Sequence, residues 1–395
     1  MHQIDIITLG LLLLIACLVA IICRRLGQPY AIGLVVAGIG LSLSGYKIGI
    51  ELTPELVFSV LLPPLVFEAA LHLGWAQFRR EAPLVLSLAF GGTILSALVV
   101  AGAMHGLVGW GWPASLLFGS LIAATDPVSV IALMKEQKAE QRLRFLMEAE
   151  SLINDGAAAV LFALIAAWIA GGATTPTGMV MALVTTVGGG VLLGLAVAAA
   201  MMLIAGRSDD HLVEITLTML AAYGSFLLAE ELHVSGVLAT LSAGMLVGNW
   251  GKDAKLTQHG GEAIVRFWDF GAFLANSVVF LLIGCREATQ PIAVFLVPAV
   301  IGTLAVLVGR AVAIYPITAL FRSGRNGTGM MTRHILFWGG LRGALALALA
   351  LGAPASLPEH AALVSVAFAV VAFSIFVQGL TVPILLRRME RQAGA

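Results

Sequence analysis

The chain is poor in charge. Of its 395 residues only 11% are Asp, Glu, Lys or Arg, while 59% are hydrophobic. A soluble globular chain carries roughly 25% charged residues. This one lacks the polar surface to face water on all sides, and its mean hydropathy of +0.99 says the same. Cysteine is scarce as well. Cys17, Cys23 and Cys285 have no CxxC or other ligand spacing, so neither a disulfide framework nor a cysteine metal site is expected. Long polar stretches are missing too. The longest, 249–266 and 322–333, leave no room for a soluble domain, and the polar end 387–395 is too short for a regulatory one. No nucleophile–base pair, nucleotide motif or nucleic-acid footprint is visible, which sets enzymes aside and implies no cofactor.

What remains is a run of apolar segments. Thirteen can be placed: 6–23, 30–46, 52–73, 83–108, 113–134, 145–170, 178–206, 211–230, 234–248, 267–284, 291–321, 334–353 and 360–386. Most reach the ~20 residues that a helix needs to cross about 30 Å of hydrocarbon. The second and ninth are short enough to be re-entrant. The first has Asp5 before it and Arg24-Arg25 after it, the reverse of a signal peptide, so it reads as a retained span. The expected class is an all-α polytopic membrane protein with a single transport domain.

Basic residues orient the spans. With the N-terminus outside, inner loops and tail hold 18 of the 22 Lys and Arg residues, outer loops only Lys47 and Arg286, and Arg310 and Arg342 lie inside spans. One span too many or too few would destroy that bias. An odd count with a cytoplasmic C-terminus is therefore expected.

Few carboxylates sit well inside spans: Glu68, Asp126, Glu150 and Asp155. A charge at membrane depth is costly and marks a functional site by default. In Ala124-Thr125-Asp126-Pro127 the proline removes a backbone donor and turns the preceding residue from helical geometry. A simple proline kink is one reading. An unwound stretch that offers a carboxylate and freed carbonyls to a cation is the other. The next span carries Glu150, Ser151, Asn154 and Asp155. Pairs four apart form adjacent stripes on one helical face. The patch offers only oxygen donors and no His or Cys, which suits hard cations and not zinc or copper. Its bland alternative is a polar network that holds helices together. Gly339-Gly340-Leu341-Arg342-Gly343 brings an arginine into a weakened helix, and Val308-Gly309-Arg310 brings another. Arg310 reads as a structural partner for a carboxylate, Arg342 as a group tuning the site. Glu68 favours a structural role, and His72, His105 and His233 sit near span ends.

The proline-broken fifth span and the glycine-broken twelfth are seven apart, so they cross in opposite senses. Two six-span repeats, 1–6 and 8–13, joined by the seventh span, place them at equivalent positions, the pattern of inverted-topology transporters. By region, 1–108 holds spans 1–4, 113–170 the ion-site spans, 178–284 connector and scaffold, and 291–387 the remaining core.

At these residues the chain closely resembles the monovalent cation–proton antiporter family, the class of bacterial NhaP proteins and animal sodium/proton exchangers. The matching motifs are Ala-Thr-Asp-Pro-Val at 124–128, Glu-Ser-Leu-Ile-Asn-Asp-Gly at 150–156 and Gly-Gly-Leu-Arg-Gly-Ala at 339–344, with 29 residues from Asp126 to Asp155. The resemblance implies the NhaA-like fold with crossed, unwound spans 5 and 12, a core domain and a dimerising domain, and a homodimer in a bacterial inner membrane. It implies that Asp155 carries ion and proton, that Asp126, Thr125 and Ser151 help hold a monovalent cation, and that Glu150 joins Arg310. Electrogenic relatives carry Asp-Asp where this chain has Asn154-Asp155, which implies electroneutral exchange of one Na⁺, Li⁺ or K⁺ for one proton. A sodium-coupled symporter of the same fold and a cation channel are the rival readings. Neither finds its own signature, an organic-substrate pocket or a ring of like sites around a pore.

Overall fold

The computed structural model describes residues 6–45, 50, 52–136, 140–172, 175–207, 210–253, 258–290, 294–321 and 328–393. The loop charges Lys47, Lys138, Asp209, Lys255, Arg322 and Arg325 lie outside the described residues. Described secondary structure is helical: α1 (Ile6–Leu26), α2 (Tyr30–Leu43), α3 (Leu62–His72), α4 (Trp75–Leu86), α5 (Thr93–Ala103), α6 (Trp112–Ala123), α7 (Val128–Glu136), α8 (Gln141–Ile169), α9 (Pro176–Ala205), α10 (His211–Glu231), α11 (Gly236–Asp253), α12 (Gln258–Glu287), α13 (Leu296–Leu320), α14 (Met330–Trp338), α15 (Ala344–Leu351), α16 (His360–Phe373) and α17 (Gly379–Ala393). Wider π turns, Leu56–Leu61, Ser87–Gly92, Met104–Val108 and Ser374–Gln378, adjoin α3, α4, α5 and α16. Among the described residues seven helical stretches are long and apolar enough to cross a membrane, and four shorter apolar ones accompany them.

Local chemistry sets the ends. Thr175 accepts a hydrogen bond from the Gly178 amide and Pro176 opens α9, a sound start because proline has no amide to leave unpaired. Asp210 caps α10 through the Leu212 amide. Gly109 stops the long stretch before α6 with a left-handed φ of 82°, a conformation glycine adopts without steric cost.

The chain divides into two units. The first comprises Met1–Pro54, Leu84–Asn154 and Asn276–Ala395, the second Glu55–Pro83 and Asp155–Ala275. Helices α4, α8 and α12 run through both, and in α8 the division falls between Asn154 and Asp155. In the first unit α5 packs on α6 and α13 across glycine contacts. A Cβ on Gly119 would overlap the Ala97 carbonyl, and one on Gly309 would lie 2.9 Å from Ser96 Oγ. Such close backbone approach is how helices gain van der Waals contact where lipid offers no hydrophobic drive. In the second unit the aromatic core is Phe67 against Trp268, centroids 4.5 Å apart, with Ala221, Ala222 and Ala243 around them. Gly244 and Gly248, four apart on α11, seat the backbone of α3 at Phe67 and Leu71. Helix α9 faces outward along much of its length, with Val180, Met181, Leu192 and Leu203 exposed, as a membrane-facing helix requires.

Candidate ion-binding site

The fifth apolar run is two helices. α6 stops at Ala123, residues 124–127 are extended, and α7 begins at Val128. Ala124 has φ −56° and ψ 140°, outside the helical region. The proline accounts for the break: it cannot donate into the helix, and it forces Asp126 toward extended geometry. Asp126 then serves the new helix, its Oδ1 accepting from the Val128 amide at 3.1 Å. The twelfth run is likewise two helices, α14 and α15, separated at 339–343.

The two breaks lie against each other. The Asp126 amide donates to the Leu341 carbonyl at 2.7 Å. The Arg342 guanidinium donates through Nη1 to the carbonyls of Ala123 and Ala124, at 2.8 and 3.0 Å. Those carbonyls form the buried C-terminal end of α6, where the helix dipole and oxygens without a partner in the helix favour a cation. Gly343 makes the crossing possible, since a Cβ on it would overlap the Asp126 side chain. Gly340 does the same for the second arginine: a Cβ there would lie 2.7 Å from Arg310 Nε.

α8 supplies the rest of the polar layer in the first unit. Ser151 donates to the Thr125 carbonyl. Asn154 Nδ2 reaches Thr125 Oγ1 and Glu150 Oε1, both at 3.3 Å. Its Oδ1 faces Thr93 Oγ1 at 3.1 Å. Glu150 is gripped by Arg310, which also donates to the Leu336 carbonyl at 3.0 Å. Thr125, Glu150, Ser151, Asn154, Arg310 and Arg342 are all buried, and Asp126 is half-buried. Asp126 and Arg342 line a small cavity with Ile32, Phe280, Ile375 and Gly379. Asp155 follows Asn154 on α8 and is half-buried in the second unit. Seven of the eight residues singled out in the sequence thus share one connected set in the first unit, and the eighth is the next residue along the helix. The donor set, carboxylate, hydroxyl and carbonyl oxygen, suits a hard cation.

Three participants went unnoticed in the sequence. Thr93 holds the Asn154 amide. Ser374 accepts from the Arg342 backbone amide at 2.8 Å and donates to Gln378 Oε1 at 2.6 Å. Gln378 in turn donates to the Trp338 carbonyl at 3.2 Å, tying the start of the glycine break to a π turn. Gln378 carried the only available signal, a primary amide inside an apolar run. Threonine and serine carry none, because in a helix they can bond their own preceding turn.

Outside this layer, Glu68 and Asp269 flank His72, whose Nδ1 lies 3.4 Å from Glu68 Oε1 and whose Nε2 lies 3.8 Å from Asp269 Oδ1. All three share the second unit, with the His72 ring 35% and Asp269 52% exposed. His105 donates through Nδ1 to the Trp110 carbonyl, 2.7 Å away, and stacks on Trp112.

Comparison with known proteins agrees with this architecture. Residues 12–388 match the sequence model of the family described as "Sodium/hydrogen exchanger, transmembrane". The chain is 35% identical over 363 residues to the Na(+)/H(+) antiporter ApNhaP of Aphanothece halophytica, covering 91% of this chain and 70% of that one. It is 35% identical over 370 residues to the low-affinity Na(+)/H(+) antiporter NhaS1 of Synechocystis, covering 92% and 70%. The solved structure of the sodium proton antiporter MjNhaP1 from Methanocaldococcus jannaschii superposes with a TM-score of 0.77 at 21% identity, covering 96% of this chain and 97% of that one. It shares the fold. The chain is a multi-pass α-helical membrane protein, a transporter and not an enzyme, and belongs to the sodium/hydrogen exchanger family.

Proposed function

We propose that this protein exchanges Na⁺ for H⁺ across a bacterial inner membrane, electroneutrally, with Asp155 as the exchanging carboxylate. The observation that carries the reading is the crossing of the 124–127 and 339–343 breaks beside the polar face of α8, because broken helices expose oxygen ligands that an intact helix keeps to itself. Family membership supports the antiport activity itself. Thirteen spans in two inverted repeats, a homodimer, an outer N-terminus and a cytoplasmic C-terminus belong to the same proposal, supported by the charge bias of the loops.

The mechanism needs one carboxylate that holds a proton or a cation but never both. Charged and empty, it is trapped on its side, because moving a bare carboxylate through a low-dielectric bundle costs several kcal/mol or more. Neutralised by either ion, it can pass. Competition then couples the two fluxes one to one. Thr125, Asp126 and Ser151 supply further oxygen ligands. The Glu150–Arg310 pair is already neutral, and Asn154 adds no second exchangeable charge.

Proteoliposomes with an imposed pH gradient test this. Adding Na⁺ should dissipate the gradient at a rate indifferent to membrane potential, and scanning Li⁺, K⁺ and Ca²⁺ against Na⁺ sets the selectivity. Asp155→Asn should abolish the response while leaving a folded protein. Undiminished exchange in that variant would remove Asp155 from its role.

A further inference from the structure

Away from the ion site, the first unit carries an open groove of about 320 Å³ between α13, α14 and α17. Its wall is aromatic. Tyr315 and Phe337 ring centroids lie 5.7 Å apart, and Phe337 and Trp338 lie 5.9 Å apart. Two polar pairs of that lining close on themselves. Tyr315 Oη pairs with His334 Nδ1 at 2.7 Å, and Trp338 Nε1 donates to Thr381 Oγ1 at 2.8 Å. What the groove presents is therefore ring and aliphatic surface, with Ile384 on α17 54% exposed beside it. One lining residue breaks the pattern: Arg388, one turn further along α17 and exposed. Among the described residues it has no carboxylate partner.

A groove of this size falls in the range of about 300–1,000 Å³ typical of small-molecule sites. On a membrane protein an apolar groove has a ready class of occupant, since water finds no partners there and acyl chains do. Tyrosine and tryptophan favour the headgroup level of a bilayer, and an arginine near a helix end extends toward it. An apolar wall ending in one exposed cation is complementary to an amphiphile with a net negative head. We propose that this groove binds an anionic glycerophospholipid, its acyl chain on the Tyr315–Phe337–Trp338 wall and its phosphate at Arg388. The site is positioned to influence transport. Trp338 is the last residue of α14, its carbonyl is held by Gln378, and the glycine break that carries Arg342 begins at the next residue. An occupant that fixes Trp338 fixes the entry to that break.

Native mass spectrometry of the purified full-length protein tests the site without measuring transport, so it stands or falls apart from the antiport reading. The protein is titrated separately with phosphatidylglycerol and with phosphatidylcholine, whose head has no net charge. Phosphatidylglycerol should be retained about five-fold more strongly, the effect of one arginine beside an anionic head. Arg388→Ala should bring it down to the phosphatidylcholine level and leave phosphatidylcholine unchanged. Ile384→Trp, which fills the groove from its exposed side, should weaken the first bound molecule of either lipid. Equal retention of the two lipids by the parent protein would overturn the proposal. So would phosphatidylglycerol retention that neither substitution alters.

Discussion

Arg310 holds Glu150 with both ends of its guanidinium, Nη1 to Oε1 at 2.7 Å and Nη2 to Oε2 at 2.9 Å, and both side chains are buried. The bidentate geometry is the strong form of this pairing. In a low-dielectric layer its value lies less in net attraction than in the cost of separating the partners. Removing one leaves the other as an uncompensated buried charge, a loss of about 3–5 kcal/mol. Glu150→Gln and Arg310→Met should therefore each lower the unfolding temperature of the purified protein sharply. The double variant should recover much of that loss, because neither charge is then stranded. Single variants as stable as the parent would show that the pair contributes nothing to the fold.

Asn154 is bound to this pair. Its amide donates to Glu150 Oε1 and to Thr125 Oγ1, both at 3.3 Å, and its carbonyl faces Thr93. Asp at this position keeps the shape but loses one of the two donors when protonated and both when ionised. It would set a carboxylate oxygen against Glu150 in place of an amide. Asn154→Asp is therefore expected to destabilise the protein by about 1–3 kcal/mol, the cost of an unmet buried hydrogen bond, when the carboxyl is protonated, and by more when it is charged. Thermal unfolding at two pH values checks the sign: the deficit should grow as pH rises and the new carboxyl ionises. A deficit independent of pH would leave the lost donor as the whole effect.

The site was legible in the sequence to the extent that it is written in rare residue types. Carboxylates, arginines and a Pro within apolar runs are costly at depth, so Asp126-Pro127, Glu150, Asp155, Arg310 and Arg342 stood out. The helical spacing of Glu150 and Asn154 then put them on one face. The Glu150–Arg310 pairing was implied by the family resemblance, and the structure shows it directly. What the sequence could not give was pairing among common residues. Thr93, Ser374 and Gln378 act through distances of about 3 Å that only the assembled helices create, and for Thr93 and Ser374 nothing in an isolated run distinguishes them from self-bonded side chains. The partners of Arg342 were hidden for the same reason. From the sequence Arg342 read as a charge that tunes the site, and the structure adds its hydrogen bonds to the carbonyl end of α6, whose position depends on the break in another span.

Gly248 tests the packing of the second unit independently of the ion site. A Cβ there would overlap the Leu71 carbonyl, and Gly244 four residues earlier would put its Cβ 2.8 Å from the Phe67 carbonyl. Backbone cannot rotate aside as a side chain can, so α3 and α11 would have to separate. Gly248→Ala should cost about 1–3 kcal/mol, the usual range for overpacking. Gly261, which has nothing near its Cβ position, is the matched control, and Ala there should be nearly silent. Equal thermal stability of the two variants would argue that the α3–α11 seam relaxes freely.

Gly343 puts the crossing itself to the test. Its Cβ position is filled by the Asp126 side chain, and Asp126 is held on its other sides by the amide bond to the Leu341 carbonyl and by its cap on the Val128 amide. The carboxylate therefore has little freedom to move aside. Backbone torsions do not demand glycine here: φ is −141° and ψ −152°, extended geometry open to other residues. The requirement is space alone, which makes Gly343→Ala a clean probe of contact between the two breaks. It should reduce Na⁺-driven dissipation of a pH gradient at least ten-fold, since displacing a ligand by about 1 Å can cost a hundred-fold in a positioned reaction. Thermal stability should fall by less than in Glu150→Gln, because no charge is stranded. A second substitution, Asp126→Gly, removes the Cβ of residue 126, which also overlaps that position, along with the carboxylate, and should restore part of the stability of Gly343→Ala without restoring exchange. If Gly343→Ala transports like the parent, the close approach of the two breaks is not required for the cycle.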